Sequence, residues 1–429
     1  MEFDLENLPD DWQVKPIREA YAFTKKPRGL MIEADGSVPF LPMDTIPIGR
    51  VRVSEFEERR GSALTSGTYI ENGDLLVAKI TPSFENGKQA IVDWGKPFGF
   101  ATTEVIPVQE VQGVSDKFFL YHLLLHPAIR SDLAGKMDGT TGRQRLSKEV
   151  FGSRLIPLPP LAEQRKIAGV LGVVQQAIEQ QEQLLQRTTE LKEKLFHQLF
   201  TNGLRGEPQK ETEIGPVPES WEFAPLGDYL TEAQYGLSAK GAESGRYALL
   251  RMTNQQQGRI SGESLQYVDL TQAQFEKFRV ARKDILFNRT NSFELVGRTA
   301  IFDIEGDFVF ASYLIRLRTD ATRLRPYFLN QYFNWDETQS RLKSIATRAI
   351  SQSNISATRL RSFVVPVPKP NEQDEIVTQL DIIDAKIAIH TRKKDALTNL
   401  FRTFLHQLMT AQIRVNDHKF SEFENIAKG

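Results

Sequence analysis

Two pairs of polar loops carry side chains that could hydrogen-bond to nucleic-acid bases and phosphates. In the first half of the chain, one loop follows the short apolar run Gly73 to Ile80 and the other spans Thr140 to Arg145. In the second half, the matching loops follow Lys283 to Thr290 and reach from Arg348 through 351–354. Arginine, lysine, asparagine, glutamine, serine and threonine read base edges in a groove, and basic groups hold phosphates. The candidate contacts are Lys79, Thr81, Ser83, Asn86, Lys88, Arg143, Gln144, Arg145, Asn288, Arg289, Thr290, Asn291, Ser292, Arg298, Arg348, Gln352 and Asn354. The alternative for any one of them is a solvated polar loop.

The sequence offers little for catalysis. It has no Gly-x-x-x-x-Gly-Lys-Ser/Thr for a nucleotide and no Asn/Asp-Pro-Pro-Tyr/Phe for a target base, and Gly139-Thr-Thr-Gly142 is typical of a turn. Asp74 and Asp284 could begin a nuclease-like metal site, but each is better explained as a turn residue that opens a strand. His197 and His406 recur at one helix end, where packing or capping is the simpler role. The pattern favours a binding protein with no catalytic, metal or cofactor site of its own.

Composition limits the class of protein. The 429 residues are 40% hydrophobic, enough for two domains with separate cores, and no apolar run is long enough to cross a membrane. The chain has no cysteine, and its first residues are acidic where a signal peptide would be basic. These features predict a soluble cytoplasmic protein. Because 54 basic residues nearly balance 55 acidic ones, any basic surface must be local.

The chain is written twice. Arg154-Leu-Ile-Pro-Leu-Pro-Pro-Leu-Ala-Glu-Gln164 returns as Phe363-Val-Val-Pro-Val-Pro-Lys-Pro-Asn-Glu-Gln373, 209 residues later. Leu195-Phe-His-Gln-Leu199 returns at the same spacing as Phe404-Leu-His-Gln-Leu408, and Leu8-Pro-Asp-Asp-Trp12 as Val217-Pro-Glu-Ser-Trp221. A unit of this length fits a whole domain with a connector. The protein is therefore predicted to be a pseudo-dimer within one polypeptide, which suits a target that also comes in two halves.

The elements that must position the loops follow from hydrophobic patterning. Short apolar runs at 73–80 and 89–93, and again at 283–290 and 299–303, are typical of strands. Helical stretches are expected near 117–133 and 324–344. We therefore predict two mixed α/β domains.

Each half then continues as a long proline-free helix with a heptad seam. Steps of four and three residues are typical of a coiled coil, and polar residues such as Gln181 and His390 interrupt both seams near their middles. The apolar seam positions are Ile167, Leu171, Val174, Ile178, Leu185 and Leu195 in the first helix, and Ile376, Leu380, Ile383, Ile387, Leu397, Phe401, Phe404 and Leu408 in the second. The alternative is that each helix packs only on its own domain.

Chain geometry predicts that the two helices run antiparallel. A helix of about forty residues is roughly 60 Å long. The short linker that follows the first helix cannot return along that length. The two domains are therefore expected at opposite ends of the helix pair.

The doubled order of domain, Pro159-Pro-Leu-Ala-Glu-Gln164 motif and long helix resembles the DNA specificity subunit of type I restriction-modification systems, over nearly the whole chain. The resemblance implies a first target-recognition domain at 1–158, a conserved helix at 159–203, a linker at 204–220, a second recognition domain at 221–367, a second helix at 368–414 and a tail at 415–429.

The resemblance also implies a function and partners. Each domain would read one half of a split double-stranded DNA target, and the helices would act as a ruler and as the docking surface for two methyltransferase subunits, with restriction subunits outside. S-adenosylmethionine, ATP and magnesium would then belong to the partner subunits. Two alternatives stay open: a coiled-coil scaffold that holds two ligand-binding domains apart without touching DNA, and the recognition segment of a fused restriction enzyme.

Overall fold

The chain folds into two compact units that each combine one α/β domain with parts of both long helices. The computed structural model describes residues 5–64, 66–140, 142–348 and 352–415. Unit 1 comprises Met1–Leu184 with His390–Gly429, and unit 2 comprises Leu185–Ile389. The repeat predicted from the sequence is thus confirmed as two domains, each with its own core.

In the described part of unit 1, strands dominate the globular part and helices alternate with them along the chain. The strands are β1 (Gln13–Pro16), β2 (Tyr21–Phe23), β3 (Ser37–Leu41), β4 (Arg52–Val53), β5 (Glu57–Arg60), β6 (Thr68–Glu71), β7 (Leu75–Ala78), β8 (Gln89–Val92), β9 (Phe98–Ala101), β10 (Val105–Glu110), β11 (Asp138–Thr140), β12 (Arg143–Arg145) and β13 (Leu155–Leu158). The helices are α1 (Ile17–Ala20), α2 (Lys117–Leu123), α3 (Pro127–Ala134), α4 (Lys148–Ser153) and α5 (Leu161–Asn202), of which α5 continues into unit 2.

Unit 2 repeats this plan with a larger set of short strands. They are β14 (Gln209–Thr212), β15 (Gly215–Pro218), β16 (Glu222–Pro225), β17 (Leu230–Tyr235), β18 (Tyr247–Leu250), β19 (Gln255–Gln256), β20 (Arg259–Ile260), β21 (Gln266–Val268), β22 (Ile285–Asn288), β23 (Thr290–Asn291), β24 (Thr299–Ile301), β25 (Phe308–Phe310), β26 (Leu314–Thr319), β27 (Thr347–Arg348), β28 (Ser353–Asn354) and β29 (Val364–Val367). The helices are α6 (Gln272–Phe278), α7 (Pro326–Phe333), α8 (Asp336–Ser344), α9 (Ala357–Arg361) and α10 (Pro370–Met409), of which α10 continues into unit 1.

The five strands of the central sheet in unit 1 match the first five of the central sheet in unit 2, where β19 is an additional edge strand. In unit 1 the order is β2-β10-β7-β8-β4, and in unit 2 the order is β17-β26-β22-β24-β20-β19. β7 and β22 are fully buried middle strands with continuous apolar runs, as the sequence pattern predicts. Each predicted helical stretch is divided into two helices, because Pro127 starts α3 and the chain turns at Asn334 before α8.

The Glu-Gln pair of the repeated motif fastens each long helix to its own domain. The Gln164 side chain donates to Val114 O and Pro159 O at 3.0 and 2.8 Å and accepts from Asp116 N at 2.9 Å. In unit 2, Gln373 makes the same three bonds to Arg323 O, Pro368 O and Arg325 N. Both side chains are fully buried, so each glutamine satisfies backbone groups that would otherwise lose their partners.

Within each unit the two long helices run antiparallel. In unit 1, Glu163 near the start of α5 contacts Arg414 beyond the end of α10, while Gln181 meets His390. Gln181 and His390 are equivalent residues of the two repeats, so this contact joins two equivalent positions. In unit 2, Leu204 N, just beyond the end of α5, donates to Glu372 near the start of α10, while Lys192 pairs with Asp384 at 2.5 Å. These contacts confirm the antiparallel coiled coil.

The predicted seam positions lie on the inner faces of the helices. Ile167, Leu171, Val174 and Leu408 in unit 1 and Ile376, Leu380 and Ile383 in unit 2 are buried. Ile178, Leu397, Phe401 and Phe404 in unit 1 and Leu185, Leu195 and Ile387 in unit 2 are partly buried. Ile167 and Leu171 also belong to the core of their own domain, so packing on the domain and packing between helices occur together.

Candidate nucleic-acid interface

The two polar loops predicted in the first domain lie side by side. Beyond β7 the chain runs antiparallel to β12, since Leu146 N donates to Lys79 O at 2.7 Å and Thr81 N donates to Gln144 O at 3.0 Å. β12 pairs with β11 in a hairpin, and Gly139 adopts φ +138°, where a Cβ would stand 2.6 Å from Arg143 O. Glycine is therefore required at this position. Thr141 lies outside the described residues.

The hairpin presents two arginines with different surroundings. Arg145 is fixed by Glu104, whose oxygens accept from its Nε and Nη2 at 3.0 and 2.9 Å. This contact raises the pKa of the Arg145 guanidinium. Arg143 is exposed and, in the described part of the chain, has no carboxylate within ion-pair distance. Arg143 is thus the hairpin cation that is left available to an outside anion or acceptor.

The other candidates of the first domain lie in the loop after β7 and differ in their exposure and hydrogen bonds. Thr81 Oγ1 donates to Glu85 at 3.0 Å, and Asn86 is exposed. Ser83 is partly buried, and its carbonyl accepts from Lys88 N at 2.9 Å. Lys88 is half-buried and donates through Nζ to Met43 O at 2.6 Å, so its charge caps a neighbouring loop.

The second domain brings the matching loops together by strand pairing. β23 pairs with β28, and β28 pairs with β27, in a small sheet of its own. Asn354 Nδ2 donates to Thr290 Oγ1 at 2.8 Å, and Ile355 N donates to Arg289 O at 2.9 Å. The second bond matches the one between Leu146 and Lys79, so both domains join the two loops in the same way.

Aromatic rings contact two of the three candidate arginines in the second domain. The Arg289 guanidinium lies 4.7 Å from the centre of the Tyr235 ring, and that of Arg348 lies 3.8 Å from the centre of the Phe293 ring. Such contacts orient a cation without neutralising it. Sequence reasoning missed both rings. Tyr235 could have been found as the last residue of a strand that ends beside Arg289, whereas nothing local marks Phe293.

The remaining candidates of the second domain differ in exposure. Ser292, Arg298 and Gln352 are exposed. Asn291 is partly buried and contacts the Met252 sulfur at 3.0 Å. Asn288 is only 2% exposed, and its Oδ1 has no hydrogen-bond partner in the described ranges, so its side chain lies beneath the surface formed by its neighbours. Ser351 lies outside the described residues.

The aspartates and histidines considered for catalysis have structural partners. Asp74 accepts from Glu71 N and Thr24 Oγ1, and Asp284 accepts from Ala281 N and from Arg318. Both open strands at turns, as predicted. His406 stacks on His126, with ring centres 5.4 Å apart. Within the described ranges, no group of three or more histidine, aspartate or glutamate side chains is placed to hold a metal ion.

The fold and the paired loops define a duplicated protein in which each α/β domain presents a hairpin of polar and basic side chains beside its share of an antiparallel helix pair. The family model for the type I restriction modification DNA specificity domain matches twice, over residues 9–189 and 218–399. This chain belongs to that family and is the non-catalytic specificity subunit of a type I restriction-modification system, as the motif and the repeat predicted.

Curated relatives and solved structures agree with this family. The chain is 23% identical to the type I restriction enzyme MjaVIII specificity subunit of Methanocaldococcus jannaschii, covering 96% of this chain and 95% of the relative. It is 22% identical to the EcoKI specificity subunit of Escherichia coli, covering 98% and 94%. A putative MjaX specificity subunit is 31% identical over 47% of this chain and 48% of that protein.

Two solved structures share the fold. The type I restriction-modification S subunit from M. genitalium superposes with a TM-score of 0.59 and 15% identity, over 95% of this chain and 99% of that one. A chain from a study of complex assembly and conformational transition of the type I system gives 0.53 and 18%, over 94% and 98%. Across the residues with described positions, no helix combines the length and hydrophobicity needed to cross a membrane.

Proposed function

We propose that this subunit binds double-stranded DNA at a split target, with one α/β domain on each half. The observation that carries the proposal is the repeated pairing of two loops. Both domains join the loop after the buried middle strand to a second polar loop by one matching backbone bond, Leu146 to Lys79 and Ile355 to Arg289. Two domains that recognise different half-sites need the same backbone arrangement with different side chains on it.

The paired loops of the two domains present different side chains to a base. The first offers Arg143 and Gln144 on a hairpin, and the second offers Thr290, Arg348 and Asn354 on paired short strands. Arginine is suited to guanine, and asparagine or glutamine to adenine, because each can make two hydrogen bonds to one base edge. The half-sites are therefore expected to differ in sequence.

The long helices offer a surface for partner subunits. Leu191, Ile382 and Ile389 in unit 2 are 51, 52 and 49% exposed, and Leu400 in unit 1 is 38% exposed. Large apolar side chains on the outer faces of a helix pair are typical of a surface that binds another protein. We assign these faces to two methyltransferase subunits, with restriction subunits bound outside them. S-adenosylmethionine, ATP and magnesium would be held by those partners.

A selection from random DNA tests the proposal. The chain would be purified with its methyltransferase subunits and used to capture duplexes from a randomised library, and the bound sequences would be read. Two short half-sites separated by a fixed gap are expected. Capture without any enriched motif, by a complex shown to be assembled, would contradict DNA reading and favour a scaffold that does not recognise sequence.

A further inference from the structure

Three lysines lie on separate segments of the first domain that come together beside the hairpin. Lys25 lies two residues past the end of β2, Lys79 directly follows β7, and Lys148 is the first residue of α4. The Lys148 ammonium lies 4.6 Å from the centre of the Phe23 ring, and Phe23 in turn contacts Phe151 of α4. The bond from Leu146 N to Lys79 O ties the second segment to the third.

The backbone holds these three segments in place. β2 pairs with β10, and Thr24 Oγ1 donates to Asp74, just ahead of β7, at 2.9 Å. Ser147 caps the start of α4 by accepting from Val150 N at 3.1 Å. The positions of the three lysines are thus set by sheet pairing and a helix cap.

The lysine cluster has no compensating carboxylate at contact distance. Throughout the described ranges, none of the three ammonium groups makes an ion pair, and the nearby Glu104 is already bound to Arg145. Burial lowers the pKa of Lys148 most, the positive charge of Lys25 lowers it next, Glu149 raises it, and Lys79 lowers it least. Lysines of like charge that lie close together without an ion-paired carboxylate favour the binding of an anion.

The second domain provides a matched comparison, because the same three positions carry other residues. By strand register and helix start, Lys25, Lys79 and Lys148 correspond to Tyr235, Arg289 and Ala357. Ala357 N donates to the Tyr235 hydroxyl oxygen at 2.8 Å, and Arg289 lies over that ring and donates to Ser312 O at 3.3 Å. One cation, Arg289, thus stands at the three positions where the first domain has three lysines.

We propose that Lys25, Lys79 and Lys148 form a phosphate-binding site for the DNA backbone next to the half-site read by the first domain, and that the second domain lacks this site. The inference rests on the proposed function and adds an asymmetry to it. Phosphate contacts position a protein on DNA without reading sequence. The first domain should therefore supply more of the salt-dependent affinity, while both domains supply specificity.

The test measures affinity against salt concentration for a duplex that carries the selected target. Lys25→Ala, Lys79→Ala, Lys148→Ala and the triple variant would be compared with the wild-type chain, each bound to its methyltransferase subunits. Removal of one phosphate-binding lysine should make the slope of log affinity against log salt shallower by about 0.9, with the sequence motif unchanged. Lysine-to-arginine variants at the three positions should keep the wild-type slope.

Lys136→Ala is the matched control, because Lys136 lies in the same unit and is ion-paired with Asp132 at 2.9 Å. It should leave the slope unchanged. A triple variant that assembles, binds the target and keeps the wild-type slope would overturn the phosphate site while leaving the proposed function intact. A wild-type complex that shows no preference for any sequence would overturn the proposed function, and the phosphate site with it.

Discussion

At the scale of single residues, the surroundings of a charge decide whether it is available to a ligand. Arg143 and Arg145 lie two residues apart on β12, yet only Arg145 is committed to a carboxylate, that of Glu104. An exposed arginine on a hairpin can make two hydrogen bonds to a guanine edge. Arg143 is therefore our choice for base contact in the first domain.

Replacing Arg143 tests this assignment. Arg143→Ala should reduce discrimination at one position of one half-site, roughly ten- to hundredfold, because alanine cannot make the two hydrogen bonds to the base edge. The other half-site should be unaffected. The measurement is competition binding with target duplexes changed one base pair at a time. Arg52→Ala, at an exposed arginine paired with Asp93, is the control. Equal weakening on every duplex would show that Arg143 binds the backbone instead.

A buried histidine gives the first unit a pH dependence. His122 contacts Phe118 O and Gln175, and burial lowers its pKa to about 4 despite these hydrogen bonds. An unfolded histidine has a pKa near 6.5, so the unfolded chain binds more protons between these values. The free energy of unfolding is therefore not reduced by His122 above about pH 6.5, and it falls as the pH drops towards 4.

The residue of the second domain that is equivalent to His122 indicates which substitution to test. Gln331 stands where the repeat places His122, and it contacts Asp384 as His122 contacts Gln175. His122→Gln should weaken the loss of stability between pH 6.5 and 4 by on the order of 3 kcal/mol, measured by denaturant unfolding across that range. Some dependence should remain, because burial also lowers the pKa of His126 to about 4. An unchanged profile would mean that His122 is not protonated on unfolding.

At the scale of elements, each long helix is held by contacts at its ends. In unit 1, Arg414 follows α10 and donates to Glu163 at 3.0 Å and to Asp11 at 2.9 Å. Trp12 Nε1 also donates to Glu163, at 3.1 Å. In unit 2 the corresponding glutamate, Glu372, accepts from Leu204 N, and Trp221 Nε1 has no hydrogen-bond partner among the described residues. The ends of the long helices are thus held by different contacts in the two units.

Removing the arginine at each end separates these arrangements. Arg414→Ala should lower the free energy of unfolding of unit 1 by about 1 kcal/mol, a modest value because Arg414 is 37% exposed, and it should leave buried Glu163 with fewer donors. Arg205→Ala is the control, since Arg205 holds the same position in the repeat and is exposed. Equal effects of the two variants on denaturant unfolding would contradict this difference.

The sequence predicts elements better than it predicts the direction of side chains. The buried runs of β7 and β22, the heptad seams and the pairing of helices follow from local periodicity. The inward positions of Lys88 and Asn288 do not, because they depend on how a turn packs on distant residues such as Met43. For the same reason the sequence did not indicate Lys25 and Lys148, whose segments come near that of Lys79 only through backbone pairing between distant parts of the chain.

At the scale of the whole molecule, the proposal is that two readers and one helix pair specify a split target. Inserting one heptad at aligned positions of α5 and α10 keeps the seam in phase and lengthens the pair by roughly 10 Å. At about 3.4 Å per base pair, the preferred gap should grow by about three base pairs, with both half-sites unchanged. Inserting three residues instead would break the seam and is the control for disrupted packing. A gap that stays the same would contradict the ruler.

The most direct test is a map of modified adenines across the genome of a host that co-expresses this chain with its methyltransferase subunit. Such a map reads both half-sites and the gap in one experiment, with the assembled complex acting on native DNA. We predict one motif made of two short, different half-sites around a fixed gap. A continuous motif, or no motif from a complex shown to be assembled, would contradict the reading of a split target.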